Sequence, residues 1–212
     1  MVSTAIARKK YNIVLALTFD YGQRAAKREI SAARKFCRLW KIEQKVIRLP
    51  WLAAITNTAL VNRSAKLPQF CHPCERRDLV SSRVSRLRGD DMTAGAVWVP
   101  NRNALFINIA ASFAESMGAA IIIAGFNKEE GATFPDNSLR FVRSMNETMR
   151  FGTMKRPRVM SMVQNMDKIE IMRYALDQRL PVWNCWPCYS GGKRLCGRCE
   201  SCSRFLTALE NS

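Results

Sequence analysis

The stretch Ile13-Val14-Leu15-Ala16-Leu17-Thr18-Phe19-Asp20-Tyr21-Gly22 decides the fold class, because a short continuous apolar run is followed at once by a polar turn. Such a run predicts a strand over 13–18 that is buried on both faces, as in a parallel sheet. Residues 29–40 then place apolar side chains at helical spacing with Lys and Arg opposite, and residues 45–49 predict the next strand. The order strand, helix, strand predicts an α/β domain with right-handed crossovers.

The second half of the chain continues the alternation of helices and strands. Apolar residues on nearly every side predict a helix packed deep against the sheet, and Gly118 would end it. Asp167 and Glu170 have the spacing of a capping box, which marks a helix start. The predicted elements are a helix over 104–117, a strand over 119–124, a helix from about 138 to 148, a strand over 157–162 and a helix over 168–177.

Loops that follow the strands are the candidate ligand sites. In open α/β sheets, ligands bind beyond the carboxyl ends of the strands. This rule nominates residues 19–24, residues 125–127 and the loop around Pro135 and Asp136. Residues 51–100 have no sustained period, and their basic part, 76–91, predicts an exposed excursion or a lid.

The amino-acid composition limits which classes of protein this chain can belong to. The 212 residues carry 34 Lys and Arg against 17 Asp and Glu, a net charge of +17, and 48% of them are hydrophobic. A chain of this kind can bury a core, so we expect one domain or one domain with an appendage. The charge suits a polyanionic ligand, either nucleic acid or ATP. The longest apolar stretch is far shorter than the roughly 20 residues of a membrane span, and the N-terminus lacks the apolar run of a secretory signal. A cytoplasmic location is expected.

A cysteine cluster near the C-terminus predicts a metal site. Four thiolates from one short loop can complete a tetrahedral shell around zinc. The expected ligands are Cys188, Cys196, Cys199 and Cys202, with Cys185 as the spare fifth cysteine because Cys188 lies closer to the rest of the loop. A closed shell of four thiolates indicates a structural metal. Reduced or disulfide-bonded cysteines remain the alternative.

Two other cysteine features have simpler interpretations. The stretch Cys71-His72-Pro73-Cys74 contains the only histidine and could form a redox pair or half of a metal site shared between subunits. A pair of thiols in a variable loop is the simpler interpretation, because nothing nearby supplies further ligands. Cys37, on an apolar helix face, is expected in the core.

Six motifs together resemble a known family. They are, in chain order, Phe19-Asp20-Tyr21-Gly22-Gln23-Arg24, Val99-Pro100-Asn101-Arg102-Asn103, Gly125-Phe126-Asn127-Lys128-Glu129-Glu130, Phe134-Pro135-Asp136-Asn137, Asn165-Met166-Asp167-Lys168 and the loop 186–202. In this order they resemble the 7-cyano-7-deazaguanine synthases of the PP-loop ATP pyrophosphatase superfamily, over residues 13–209. The resemblance implies a Rossmann-like parallel sheet flanked by helices, of the adenine nucleotide alpha-hydrolase-like type. It divides the chain into an α/β domain over 1–180 and a zinc-binding segment over 181–212.

The resemblance also implies an activity. Such a ligase uses ATP with Mg²⁺ and ammonia to convert 7-carboxy-7-deazaguanine into 7-cyano-7-deazaguanine in queuosine biosynthesis, through an adenylated acid and an amide. A homodimer is expected. Direct nucleic-acid binding is not, because no basic stripe is interleaved with aromatic residues.

Roles for individual residues follow from the motifs and from the chemistry. Activation of a carboxylate requires cations beside the acid and the phosphates, and Arg24 and Arg102 are the candidates. The residues expected to bind ATP are Ser3, Thr18, Phe19, Tyr21 and Gln23. The residues expected to bind the deazaguanine are Asn127, Glu129, Phe134 and Asp136, which combine hydrogen-bond acceptors with an aromatic ring for stacking. Each could instead be an ordinary cap or surface residue.

The N-terminus departs from the family pattern. Members usually begin with a buried strand and an S-G-G-x-D-S loop for the ATP phosphates, whereas this chain opens Met1-Val2-Ser3-Thr4. The expectation is a truncated chain, since loss of a central strand would leave ladder groups unpaired on its neighbours. Alternatives are a catalytically inactive homologue and a zinc-knuckle tRNA-binding module. Ala25 stands where many relatives carry histidine.

Overall fold

Two pairs of parallel strands, with helices packed around them, form the fold. The computed structural model describes residues 1–69 and 95–212. The elements are α1 (Val2–Ala7), β1 (Leu15–Asp20), α2 (Ala26–Trp40), β2 (Glu43–Arg48), α3 (Pro50–Ala54), α4 (Arg102–Met117), β3 (Ile121–Ala124), α5 (Lys128–Thr133), α6 (Leu139–Gly152), β4 (Arg158–Ser161), α7 (Lys168–Asp177) and α8 (Glu200–Glu210). Short 3-10 turns lie at Pro135–Asn137 and Val182–Asn184. In these two ranges no helix combines the length and the apolar character needed to cross a membrane.

The predicted alternation of strands and helices is confirmed, with bounds that differ from the predicted ones by up to about four residues. β1 begins and ends two residues later than predicted, because its register pairs Leu15 with Glu43 and Asp20 with Arg48. These polar ends join the ladder through backbone hydrogen bonds, which apolar periodicity does not reveal. The capping box of α7 is present, and Gly118 ends α4 with a left-handed φ of 70°.

The described residues form two sheets instead of the one expected. β1 pairs in parallel with β2, and β3 pairs in parallel with β4. A groove of about 770 Å³ lies between the sheets and is lined by β1, β3 and α4. The apolar strands β1 and β3 are therefore half-buried and not buried on both faces. For the same reason α4 buries fully only Ile107, Ala111 and Ala114, while other apolar side chains of α4 line the groove.

The first helix is tied to the second sheet by a buried serine. Ser3 Oγ donates a hydrogen bond of 2.6 Å to the carbonyl of Ala124 and accepts one of 3.1 Å from the amide of Met162. Val2 of the same helix shares a hydrophobic core with Ala175 of α7 and Ala208 of α8. The start of α1 thus lies at the carboxyl ends of β3 and β4.

Candidate functional site

A cationic and aromatic pair lies at the carboxyl end of β1. Tyr21 follows the strand and is almost fully buried, while Arg102 begins α4 after Asn101, whose φ of 59° is left-handed. Arg102 Nη1 donates a 3.1 Å hydrogen bond to Tyr21 Oη. Burial opposes the charged guanidinium, but Tyr21, Asp136 and Glu29 outweigh it and raise the pKa of Arg102. Arg102 is thus a fixed cation in a partly desolvated site.

An acid and an aromatic pair lie next to this cation. Phe134 stacks nearly parallel on Trp98, with ring centroids 5.8 Å apart. The Asp136 carboxylate accepts a 3.0 Å hydrogen bond from the side-chain amide of Asn137. Burial raises the pKa of Asp136, and the charge of Arg102 partly offsets that rise. The structure therefore brings together four of the predicted site residues, Tyr21, Arg102, Phe134 and Asp136.

Gln23 is committed to the turn after β1. Its Oε1 accepts a 2.9 Å hydrogen bond from the amide of Tyr21. Its Nε2 donates to the carbonyl of Phe19 at 3.0 Å and to Glu29 Oε2 at 2.8 Å. Burial raises the pKa of Glu29, against the opposing effects of Gln23 and Arg102. Sequence reasoning missed Glu29, because on an amphipathic helix it resembles any other charged residue.

Arg24 holds a neighbouring loop in this structure. Its Nη2 donates hydrogen bonds of 2.5 Å to the carbonyls of Asn62 and Ala65, and its backbone amide donates to the carbonyl of Leu60 at 2.8 Å. Its Nε is buried and has no hydrogen-bond partner. The guanidinium of Arg24 is thus engaged by backbone, unlike that of Arg102.

The other residues predicted to bind ATP have partners within the protein. Thr18 Oγ1 accepts a 3.0 Å hydrogen bond from Gln44 Nε2 across the β1–β2 pair. Phe19 stacks on Phe106 of α4 at a centroid distance of 3.9 Å. Ser3 links β3 to β4, as described above, and lies within α1.

Helix α5 carries the remaining predicted residues and an ion-pair network. Asn127 caps the helix by accepting a 3.0 Å hydrogen bond from the amide of Glu130, and Glu129 lies half-buried in the first turn. Glu130 Oε1 pairs with Lys168 Nζ at 2.9 Å and with Arg204 Nη1 at 3.9 Å. Burial alone would raise the pKa of Glu130, but these cations lower it. The network joins α5, α7 and α8.

The four predicted metal ligands converge. The Sγ atoms of Cys188, Cys196, Cys199 and Cys202 all lie within 4.8 Å of one another. Cys196 Sγ and Cys202 Sγ are 3.9 Å apart, against about 3.8 Å for two sulfurs on one tetrahedral zinc with bonds of about 2.3 Å. Cys185 stands apart, with its Sγ 3.4 Å from the sulfur of Met1. The four predicted cysteines thus form a cluster that could hold a metal ion, and their role as ligands stays a prediction.

The thiols of the cluster differ in their pKa values. Burial opposes ionisation of Cys188, but hydrogen bonds from Ser190 and from backbone amides lower the pKa of Cys188 to about 6. Burial raises the pKa of Cys199 and of Cys202. A divalent metal would offset the charge of the thiolates it binds.

The other cysteine predictions have different outcomes. Cys37 is buried on α2, as expected. The stretch from Cys71 to Cys74 and the basic residues 76–91 lie outside the described residues.

Parallel strands flanked by helices and a cluster of four cysteines that could hold a metal ion define the chain as an α/β protein with a candidate metal site. The family described as queuosine biosynthesis protein QueC matches residues 1–212. The chain belongs to this family, which is of the PP-loop type.

Curated relatives support the same assignment. A 7-cyano-7-deazaguanine synthase of Methanosarcina barkeri is 42% identical over 212 residues, which cover 100% of this chain and 89% of the relative. The synthase of Pelotomaculum thermopropionicum is 42% identical over 211 residues, covering 100% of this chain and 91% of the relative. That of Methanobrevibacter smithii is 36% identical over 209 residues, covering 99% and 87%.

Proposed function

We propose that this chain is an ATP-dependent ligase that converts 7-carboxy-7-deazaguanine and ammonia into 7-cyano-7-deazaguanine for queuosine biosynthesis. One observation carries the proposal: the family match spans every residue, and relatives named for this synthesis are 36% to 42% identical over nearly the whole chain. The buried cation, the acid and the stacked rings at the end of β1 support it.

The reaction requires a cation where two anions meet. The carboxylate of the substrate attacks the α-phosphorus of ATP, and pyrophosphate leaves with the electron pair of the broken P–O bond. Ammonia then displaces AMP from the acyl adenylate to give the amide. The amide oxygen would attack the α-phosphorus of a second ATP with release of pyrophosphate, and elimination of AMP, which carries that oxygen, with loss of the two N–H protons gives the nitrile. Arg102 would attract both the carboxylate and the phosphates, and would stabilise charge on the leaving pyrophosphate. Its bond to Tyr21 holds the guanidinium in place.

The deazaguanine would bind against α5 and the turn that follows it. The base offers a ring amide and an exocyclic amine as donors, and the carboxylate of Asp136 can accept from such donors. Phe134, already stacked on Trp98, offers a ring face to a flat base. Asn127 and Glu129 would act from the first turn of α5, where the Asn127 cap leaves its side-chain NH₂ as a further donor.

ATP and Mg²⁺ would bind along the turn after β1. Phe19 is only half-buried there, buried Tyr21 would act through its hydrogen bond with Arg102, and Arg24 would add a second cation if the guanidinium exchanged its carbonyl partners for phosphate. Ser3, Thr18 and Gln23 hold neighbouring protein groups, so we propose that they shape the ATP site.

The metal is proposed to be zinc in a structural role. Four thiolates suit zinc and leave no position open for substrate. Residues 181–212 would then be a zinc-binding segment that packs on the α/β domain of 1–180, since Phe205 and Ala208 share a core with Val2. Reduced thiols favour a cytoplasmic location. A homodimer is the proposed assembly.

The test is acid-dependent release of pyrophosphate. Purified protein is incubated with ATP, Mg²⁺ and 7-carboxy-7-deazaguanine, and pyrophosphate and AMP are quantified with and without the acid. The proposal predicts release that requires the acid. Protein that is folded and metal-loaded but releases no pyrophosphate would contradict the proposed function and would support a catalytically inactive homologue.

A further inference from the structure

A glycine of the cysteine loop lies directly on the turn that follows β1. Gly191 has a left-handed φ of 67°, and a Cβ placed on it would be 2.1 Å from the carbonyl oxygen of Arg24 and 2.7 Å from its carbonyl carbon. A Cβ cannot occupy this space without moving backbone, because ordinary contacts begin above 3.4 Å. Gly191 therefore adopts a left-handed backbone conformation and lies close to the Arg24 carbonyl, and a residue with a Cβ would fit neither condition.

A second set of contacts, next to Gly191, joins the cysteine loop to the start of α2. Arg28 Nε donates a 2.8 Å hydrogen bond to the carbonyl of Gly192. The Arg28 guanidinium also lies 5.1 Å from the ring centroid of Trp186, over its face. The start of α2 thus contacts the cysteine loop at two residues, Trp186 and Gly192.

The contacts continue from Arg24 to a third segment. Arg24 binds the carbonyls of Leu60, Asn62 and Ala65 through its amide and its guanidinium. Farther along that segment, Gln69 pairs with Cys199, one of the four clustered cysteines, in an antiparallel bridge. The cysteine loop therefore contacts the turn after β1 at Arg24 and contacts Gln69 at Cys199, while Arg24 itself holds residues 60–65.

We propose that Gly191 is a positioning residue, through which the metal-bound cysteine loop braces the turn that carries Tyr21 and Gln23. A metal held by four thiolates makes the loop rigid, and the Gly191 backbone transmits that rigidity to the Arg24 carbonyl. Residues at such sites must be held within a few tenths of an ångström of their working positions. Only the activity arm of the test below rests on the proposed function.

The chain offers a matched control for Gly191. Gly197 lies in the same loop with a φ of 71°, but a Cβ placed there meets nothing within 4 Å. Gly191→Ala and Gly197→Ala therefore impose similar backbone strain, and only the first pushes against the turn. Amide hydrogen exchange of residues 21–28 and 58–66 is measured by mass spectrometry, on metal-loaded protein and after treatment with a zinc chelator, and metal content is determined in parallel.

We expect Gly191→Ala to speed exchange in both segments at least tenfold with metal content unchanged, as chelation does in the wild type. Gly197→Ala should leave exchange in these segments at the wild-type rate. Equal effects of the two substitutions, or wild-type exchange in Gly191→Ala, would overturn the proposal. Should Gly191→Ala fail to fold, Arg28→Ala provides the same comparison, with Arg28→Lys expected to restore protection because it keeps a cation over Trp186. Arg28→Ala with wild-type exchange would also overturn the proposal.

The activity arm separates positioning from general stability. In Gly191→Ala the kcat/KM for ATP should fall while that of Gly197→Ala is retained, at equal metal content and equal circular dichroism. Unchanged kcat/KM in Gly191→Ala, in a wild type that turns over, would contradict the positioning role. If the wild type does not turn over, the proposed function fails. The exchange measurement still shows whether Gly191 couples the cysteine loop to the turn after β1.

Discussion

Replacement of one cysteine at a time distinguishes ligands from bystanders in the metal loop. Cys188→Ser should weaken zinc binding strongly, whereas Cys185→Ser, in the same C-x-x-C pair, should not. Cys188 is 1% exposed and its Sγ belongs to the cluster of four. Cys185 is half-buried and its Sγ lies against the sulfur of Met1 instead. The pair is a matched control, because both changes remove one thiol from one short stretch.

The magnitude follows from the closed four-thiolate shell. Structural zinc binds with an apparent free energy of about 10–16 kcal/mol, so one of four equivalent ligands contributes about 2.5–4 kcal/mol. At about 1.4 kcal/mol per tenfold change, Cys188→Ser should raise the Kd for zinc by roughly a hundred- to a thousandfold. For Cys185→Ser the change should stay within about twofold, since no ligand is lost.

The assay is a competition titration with a chromophoric zinc chelator at fixed pH. A circular dichroism melt confirms that each variant is folded before the titration. Equal weakening of zinc binding by Cys185→Ser and Cys188→Ser would contradict the proposed ligand set, because Cys185 would then also be a ligand.

Four further substitutions, one of them paired with a control, test the site and its supports. Arg102→Met should lower kcat/KM by roughly a hundred- to a thousandfold through loss of the cation, and Tyr21→Phe by roughly tenfold through loss of one charge-assisted bond, as steady-state pyrophosphate release would show; equal turnover in Arg102→Met and wild type would contradict the role. Glu130→Gln should destabilise the fold by about 1–2 kcal/mol in urea titrations at pH 7, because its ion pairs are only partly exposed. The folded-state pKa of Glu130 is lowered, so this stabilisation is present above the ordinary value of 4.5 and is lost as the pH falls through the folded pKa; a difference that stays constant down to low pH would contradict the ion-pair explanation. Gly22→Ala, with φ at 86° and a Cβ that would lie 2.8 Å from a side chain of α3, should lower Tm by about 3–10 °C, whereas Gly125→Ala, whose Cβ meets nothing within 4 Å, should not.

The metal cluster could be predicted from the sequence because its ligands are local. The C-x-x-C-x-x-C spacing places Cys196, Cys199 and Cys202 on one turn and the start of α8, and Cys188 returns through the Gly191–Gly192 turn. Short loops leave few alternative conformations, so spacing alone determines which sulfurs meet. Helix starts were predictable for the same reason, as the Asp167 capping box shows.

The site at the end of β1 was only partly predictable. The strand-end rule places Tyr21 and Asp136 near a ligand, but the hydrogen bond from Arg102 to Tyr21 joins residues 81 positions apart. The hydrogen bond from Gln23 to Glu29 depends on how α2 packs against the turn that precedes it, and no local sequence pattern encodes that packing. Sequence motifs therefore predicted which loops form the site. Tertiary packing determines which of their side chains are already hydrogen-bonded within the protein.

Sheet pairing was the least predictable feature. The apolar runs in β1 and β3 predict strands in a parallel sheet, and both strands are present with parallel partners. Periodicity does not say which strands are neighbours, because backbone hydrogen bonds make the pairing and side chains only bias it. Because β1 and β3 belong to separate sheets, a groove lies between them. The apolar patterns of the two strands do not predict this groove.

The proposed ligase activity is tested most directly by following the nitrogen atom of ammonia into the product. The metal-loaded protein is incubated with 7-carboxy-7-deazaguanine, ATP, Mg²⁺ and isotopically labelled ammonia, and the products are identified by mass spectrometry. We expect a labelled nitrile that requires ATP, with a labelled amide as the intermediate. Pyrophosphate release without any labelled amide or nitrile, or unchanged acid in a folded and metal-loaded protein, would contradict the proposed activity.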